Sequence, residues 1–143
     1  MNNMKGSYCL IVELDNEKTI KIGKRLGKIT FKDGYYVYVG SAMNSLTARI
    51  NRHLSDEKKL HWHIDYLLKN AKITDIVYAE SSEKIECDLS RFISKRNAGI
   101  NNFGCSDCDC ESHLYYFKNR KDAIENVESA YNSIAVECKH FRI

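Results

Sequence analysis

The sequence predicts an α/β protein of the α+β type, in which a small, mainly antiparallel sheet is flanked by helices. Short β-rich runs bounded by glycine, asparagine and aspartate dominate the first forty residues. Apolar residues recur at three- and four-residue steps in several later segments, which is the spacing of a buried helix face. The length of 143 residues and the hydrophobic content of 43% suit one domain, residues 1–143, with a single active site at most.

The predicted elements follow one another along the chain. Residues 8–14 and 19–22 form two β-rich runs that an antiparallel hairpin would join, and residues 28–31 and 35–39 add two more strands. Helical periodicity predicts helices over residues 44–55 and 83–96, and a short helix after His61. Strands are expected at residues 73–79 and 113–117, and a C-terminal helix at residues 120–138 closes the chain.

Composition limits the possible partners and compartments. There are 22 basic and 19 acidic residues, a net charge of +3, which permits nucleic-acid binding without demanding it. No apolar run approaches the roughly 18 residues of a membrane span, and the N-terminus lacks the apolar region of a signal peptide. We therefore expect a cytoplasmic protein with no membrane partner, whose six cysteines are reduced or metal-bound rather than disulfide-paired.

The most informative stretch is an aromatic strand that stops at Gly40, followed by a helix carrying Arg49 and His53. Residues four apart share one face of a helix, so both side chains should point back toward the strand end that presents Tyr38. A phenol, a guanidinium and an imidazole beside a glycine form a plausible phosphate site. The alternative is ordinary strand packing beside a solvated helix face.

These residues belong to an ordered set that resembles the GIY-YIG nucleases. The set comprises Gly6-Ser7-Tyr8 in the first strand, Tyr38-Val39-Gly40 in a later strand, Arg49 and His53 on the next helix, and Glu86 downstream. Residues 36–42, 52–54, 58–68, 86–87 and 103–114 further resemble an uncharacterised archaeal and bacterial GIY-YIG-like family, sometimes fused to an endonuclease III-type DNA glycosylase. The resemblance covers about residues 6–118, so the helix at 120–138 is appended, and residues 16–32 are an insertion.

The resemblance implies a metal-dependent DNA endonuclease that is structure-selective or associated with DNA repair. In that case Tyr8 and Tyr38 flank the scissile phosphate, Arg49 stabilises it, His53 assists, and Glu86 holds one Mg²⁺ or Mn²⁺ ion. A Tyr8 phenol whose pKa is lowered by Arg49 and a metal-bound water could accept the nucleophile's proton, with His53 as the competing base.

The resemblance also implies partners and leaves alternatives open. DNA is the expected partner, with a DNA glycosylase or another repair protein beside it, and Gly40 and Ser41 are expected to touch the substrate. A catalytically weak nucleic-acid-binding module in DNA repair is one alternative. A zinc-stabilised interaction domain without a nucleic-acid role is another.

A second cluster lies just after the first helix. Lys58, Lys59 and Trp62 offer the phosphate contacts and base stacking that single-strand binders use, with His61 and His63 beside them. The two histidines are two positions apart, so they could share a metal only if the segment is not helical there. A core tryptophan with solvated neighbours explains the same residues.

The third cluster is Cys105-x-x-Cys108-x-Cys110-x-x-His113. Thiolate and imidazole ligands at this spacing could bind a structural Zn²⁺ ion, and Cys-x-x-Cys is the usual first half of such a site. Ordinary zinc sites draw their second ligand pair from a more distant segment, and Cys87 is an alternative partner to Cys110. Reduced thiols packed near the active site are the simpler interpretation.

Overall fold

The computed structural model describes residues 4–105 and 110–143, and these residues form five helices and seven strands. In chain order the elements are β1 (Gly6–Leu14), β2 (Lys18–Lys21), α1 (Gly23–Leu26), β3 (Lys28–Phe31), β4 (Gly34–Ala42), α2 (Leu46–Leu54), α3 (His63–Leu68), β5 (Lys72–Glu80), α4 (Glu86–Ser94), β6 (Leu114–Phe117), α5 (Arg120–Ser133) and β7 (Lys139–Arg142). Five strands form one antiparallel sheet in the order β6-β4-β1-β5-β7. The predicted α+β class, an antiparallel sheet flanked by helices, is confirmed.

Strand β1 lies in the middle of the large sheet and pairs with β4 along one edge and β5 along the other. Successive side chains of a strand point to opposite faces. Tyr8, Leu10 and Val12 therefore enter one core cluster, whereas Cys9 and Ile11 enter the other. Because both faces are covered, β1 is an almost continuous apolar run rather than an alternating one.

The helices divide between the two faces of the sheet. Helices α2 and α3 contribute Leu46 and Ile64 to the cluster that contains Tyr8. Helices α4 and α5 contribute Leu89 and Val127 to the opposite cluster. This division separates the helix of Arg49 and His53 from the helix that begins at Glu86.

Helix α4 is shorter than the predicted span of residues 83–96. The hydroxyl of Ser81 donates to the carbonyl of Glu83 at 2.8 Å and accepts from its N–H at 3.2 Å. These side-chain bonds hold residues 81–83 in a turn, so the helix begins only at Glu86.

The predicted hairpin between residues 8–14 and 19–22 is wrong. Strand β2 pairs with β3 in a separate two-stranded sheet, because both edges of β1 are already taken by β4 and β5. The inserted segment buries Ile20, Ile22 and Phe31 against the core, and a backbone hydrogen bond from Ile22 to Gly27 closes the connection.

The C-terminal helix also differs from the prediction. Helix α5 ends at Ser133 instead of residue 138, and Ala135 follows in the left-handed region with φ of 56°. The chain then forms β7, an edge strand beside β5 that periodicity did not predict. Asp75 on β5 joins these parts, because its carboxylate accepts from Arg120 at 2.6 and 2.8 Å and lies 2.7 Å from Nε2 of His140. Among the described residues, no helix has the length and apolar character needed to cross a bilayer.

Candidate active site at the end of strand β4

The Tyr8 ring lies over the backbone of strand β4 at Gly40. The register of β1 with β4 places these two residues opposite each other. A Cβ atom at residue 40 would lie 2.6 Å from the phenol oxygen, so only glycine lets the Tyr8 ring cross the backbone here. Gly40 was predicted to touch the substrate, but on this face the neighbouring space is filled by the Tyr8 ring.

His53 lies at the centre of an aromatic group. Its Nε2 is 2.7 Å from the phenol oxygen of Tyr8, and its ring centroid lies 5.3 Å from Tyr8, 6.1 Å from Tyr38 and 5.8 Å from Trp62. Tyr8 is 1% exposed and His53 is 2% exposed. The expectation that His53 points back to the strand end presenting Tyr38 is therefore confirmed.

Arg49 lies next to this pair. Its Nη1 donates to the carbonyl oxygen of Ser41 at 3.0 Å, and its guanidinium carbon lies 4.5 Å from the Trp62 ring centroid. The guanidinium is also close enough to lower the pKa of Tyr8 through its charge and a hydrogen bond. Ser41, predicted to bind substrate, contacts Arg49 through its backbone, and Arg49 remains partly exposed.

Trp62 is held by arginines. The guanidinium carbon of Arg52 lies 4.3 Å from the Trp62 ring centroid, a distance similar to the 4.5 Å of Arg49. Arg52 also donates two 3.0 Å bonds to the carboxylate of Asp65, and Asp65 accepts from the backbone N–H of His61 and of Trp62. The tryptophan is thus half-buried and covered by cationic side chains rather than an open platform for stacking bases.

Two of the neighbouring basic residues, Lys58 and His63, make hydrogen bonds that hold the fold together. The ammonium of Lys58 donates to the carbonyl oxygens of His53 and Ser55 at the end of α2, so it stabilises that helix end. Nδ1 of His63 accepts from the backbone N–H of Gly104 at 2.8 Å, and this contact fastens the loop before β6.

The side chains of Lys59 and His61, in contrast, are exposed. Of the five residues predicted to bind substrate in this cluster, these two can meet a ligand without rearrangement.

Burial sets the protonation of the site. Burial raises the pKa of Tyr8 to about 12 although Arg49 lowers it, and burial also raises the pKa of Tyr38. Burial lowers the pKa of His53 to about 4. At neutral pH the phenol is therefore protonated and the imidazole is neutral. The expectation was that Arg49 and a metal-bound water together lower the Tyr8 pKa; Arg49 alone does not bring this pKa below its usual range, because burial has the larger effect.

Glu86 is not in contact with these residues. It begins α4, and no hydrogen bond, ion pair or ring contact among the described residues joins it to Tyr8, Tyr38 or Arg49. Its charge acts on His113, whose pKa is lowered by burial and raised by Glu86. Its Oε2 atom is buried and has no hydrogen-bond partner among the described residues.

A loop connects the two parts of the candidate site. A Cβ atom at Gly104 would lie 3.3 Å from Cε1 of Tyr38 and 3.3 Å from Cβ of His113. His113 in turn lies 2.7 Å, through Nδ1, from the hydroxyl oxygen of Ser90 on α4. Contacts therefore lead from Tyr38 through the loop and His113 to helix α4, which begins at Glu86.

Three groups that can bind a metal meet beside Glu86. The ligand atoms of Cys87, Cys110 and His113 lie within 4.8 Å of one another, so this group could hold a metal ion. Two of the four predicted ligands, Cys110 and His113, belong to it. Cys105 is outside this group of described residues, and its thiol donates to the carbonyl of Phe103 at 3.4 Å. Cys108 lies outside the described residues.

Sequence reasoning missed Arg52, Asp65 and Ser90. Arg52 and Asp65 are 13 residues apart on different elements, and Ser90 is 23 residues from His113. Nothing in local periodicity indicates such pairs.

Residues 7–136 match the sequence model of a protein family described as Domain of unknown function DUF123. The matched range includes all of the candidate site and helix α5. No curated protein and no solved structure matches the chain significantly.

Proposed function

The chain belongs to the family described as Domain of unknown function DUF123, and for this chain we propose a divalent-metal-dependent endonuclease activity that hydrolyses phosphodiester bonds in DNA. The GIY-YIG resemblance supports the reaction class. The observation that supports it most is that Tyr8 and His53 hydrogen-bond to each other at the end of β4, with Arg49 close enough to lower the Tyr8 pKa and bonded to the Ser41 carbonyl.

Arg49 supplies the phosphate contact in this proposal. One N–H of its guanidinium is used by the Ser41 carbonyl, and a guanidinium has five N–H donors in all. The remaining donors suit the non-bridging oxygens of a phosphodiester, on which charge gathers in the transition state. Because Ser41 and Trp62 already fix the side chain, little ordering is needed when substrate binds.

Tyr8 and His53 can move the nucleophile's proton. A phenol with a pKa of about 12 is not a base at neutral pH, but it can give its own proton to Nε2 of His53 while it takes a proton from water. His53 is neutral above about pH 4 and is therefore available as the acceptor. This arrangement gives both residues a role in one proton relay.

Glu86 fits the metal that the resemblance implies. A buried carboxylate oxygen without a hydrogen-bond partner favours a nearby cation, and carboxylate oxygen is a preferred ligand of Mg²⁺ and Mn²⁺. When bound, such an ion would supply Lewis-acid stabilisation of the phosphate. The resemblance also implies a role in DNA repair, so the proposed protein partner is a DNA glycosylase or another repair protein.

The experiment compares Glu86→Gln with Asp88→Asn on a panel of branched, nicked and single-stranded DNAs with Mg²⁺ or Mn²⁺. Asp88 lies in the same first turn of α4 and forms an exposed ion pair with Arg91, so it is a matched acidic control. The proposal expects metal-dependent cleavage by wild type and by Asp88→Asn, and its loss in Glu86→Gln. Cleavage that Glu86→Gln retains would remove Glu86 from the site.

A nucleic-acid-binding module without cleavage is the second candidate. The absence of contacts between Glu86 and Arg49 among the described residues favours it, as does the nearly complete burial of Tyr8 and His53. This candidate predicts affinity for DNA that falls steeply with salt, with no cleavage at any metal concentration.

A zinc-stabilised interaction domain is the third candidate, favoured by the group of Cys87, Cys110 and His113. It predicts stoichiometric zinc, unfolding by chelator and no affinity for DNA.

A further inference from the structure

The three metal-binding groups come from two distant parts of the chain. Cys87 lies in the first turn of α4, whereas Cys110 and His113 lie just before β6. Zinc sites typically combine ligands from separate segments in this way, and the sequence cluster around Cys105 lacked that feature. Both thiols also line a surface cavity of about 550 Å³, together with Ser90 and Tyr115.

The hydroxyl of Ser90 holds the ring of His113, and both side chains are buried. The oxygen of Ser90 lies 2.7 Å from Nδ1 of His113.

This contact suits a metal-binding imidazole. A hydroxyl oxygen can accept a hydrogen bond, so Ser90 can take one from Nδ1–H of His113. A neutral imidazole with hydrogen on Nδ1 carries its lone pair on Nε2. Metal-bound histidines ordinarily donate their other ring N–H to a neighbour in this way, which orients the ring for the metal.

We propose that Cys87 Sγ, Cys110 Sγ and His113 Nε2 bind a Zn²⁺ ion that fastens the first turn of α4 to the segment before β6. Two thiolates and one imidazole are soft or borderline ligands, which favour zinc over the hard cations Mg²⁺ and Mn²⁺. The site therefore differs in chemistry from the one proposed at Glu86. It does not depend on cleavage activity, and its failure would leave the endonuclease proposal untouched.

The first test measures metal in the full chain, expressed with zinc and purified without chelator. Wild type is expected to hold one zinc per chain, and Cys87→Ser and Cys110→Ser to lose it. Cys105→Ser and Cys138→Ser are matched controls that should retain it, because neither thiol belongs to the group. Cobalt in place of zinc should give thiolate-to-metal charge-transfer absorption that disappears in the same two variants.

The second test uses unaltered protein, so it does not depend on how the variants fold. Alkylation mapped by mass spectrometry should find Cys87 and Cys110 protected with zinc and reactive after chelation, while Cys138 reacts equally in both states.

A third test uses Ser90→Ala, which should weaken zinc binding about 10–100-fold, because it removes the group that orients His113.

Three results would overturn the proposal. One is protein without zinc whose Cys87 and Cys110 react equally with and without chelator. Another is loss of zinc in Cys105→Ser but not in Cys87→Ser. The third is a Cys87–Cys110 disulfide in protein purified under reducing conditions.

Discussion

The phenol oxygen of Tyr8 lies 2.7 Å from Nε2 of His53, although the two residues are 45 positions apart in sequence. Strand β1 provides the phenol and helix α2 provides the imidazole, and the Arg49 guanidinium lies beside both. Because both side chains are almost fully buried, this hydrogen bond contributes to stability and to the proposed chemistry at once. Variants must therefore be chosen to separate the two.

Tyr8→Phe should separate them when it is compared with Tyr36→Phe. Both phenols are 1% exposed, and Tyr36 donates to the carbonyl of Lys32 at 2.8 Å. Tyr8→Phe should lose about 1–3 kcal/mol of unfolding free energy in urea titrations, because the buried Nε2 of His53 is left without its hydrogen bond. Tyr36→Phe should lose about 0.5–1.5 kcal/mol with its bond to the Lys32 carbonyl. Only Tyr8→Phe should slow DNA cleavage, by about 10²-fold or more. Equal cleavage rates in the two variants would exclude Tyr8 from the proton relay.

Gly40→Ala should destabilise the protein through one contact. The added Cβ would lie 2.6 Å from the Tyr8 ring, and overpacking of this kind costs about 1–3 kcal/mol. In the background of Tyr8→Ala the ring is gone, so the cost of Gly40→Ala in thermal unfolding should fall. Additive costs in this double-mutant cycle would show that the ring is not what requires glycine.

Acid should destabilise the fold through His53. The unfolded residue takes up a proton near pH 6.5 and the folded residue only near pH 4, so the unfolded state binds more protons in between. The contribution of neutral His53 to the unfolding free energy should thus be complete above pH 6.5, and the unfolding free energy should fall by about 3 kcal/mol as the pH drops to 4.

His53→Gln is the comparison for this effect. His63 and His113, whose pKa values are also lowered by burial, contribute in both proteins, so the difference between the two curves isolates His53. Urea midpoints measured across this pH range should vary less in the variant. Parallel curves would mean that His53 is not buried as a neutral group.

Asp75 should control stability at lower pH. Burial raises the pKa of this carboxylate, but hydrogen bonds from Arg120, His140 and Thr74 outweigh burial and bring the pKa to about 2, below the ordinary 3.8. Its contribution is present above pH 3.8 and lost as the pH falls through 2, and it amounts to about 2 kcal/mol.

Asp75→Asn should therefore lower the urea midpoint at neutral pH and flatten its dependence below pH 3.8. Asp15→Asn, at an exposed turn position, is the control and should match wild type. If Asp75→Asn leaves the acid dependence unchanged, the contacts with Arg120 and His140 do not hold the C-terminal strand in solution.

The sequence predicts those features of the structure that depend on residues close together along the chain. Arg49 and His53 share a face because they are one helical turn apart, and that was predictable without a structure. Strand β7 was not, because its four residues are exposed and it is held through Asp75, 65 positions from His140. Short edge strands carry little periodicity of their own.

The position of Glu86 shows the same limit. Periodicity predicted a helix there, but the face of the sheet that the helix covers depends on Leu89 and Ile93 packing against residues such as Val37 from another strand. Gly40 was recognised as a special position for a ligand, yet the Tyr8 ring is what requires it. In both cases the decisive contact joins residues far apart in sequence.

The rate of DNA cleavage by Arg49→Ala tests the central claim most directly. The control is Arg142→Ala, which removes an exposed arginine from the edge strand β7, two strands away from β1 in the sheet. We predict that wild type and Arg142→Ala cleave a branched or nicked DNA with Mg²⁺ or Mn²⁺, and that Arg49→Ala is about 10²–10³-fold slower while remaining folded. Cleavage by Arg49→Ala at the wild-type rate, or no cleavage of any DNA in the panel by folded wild type, would contradict the account.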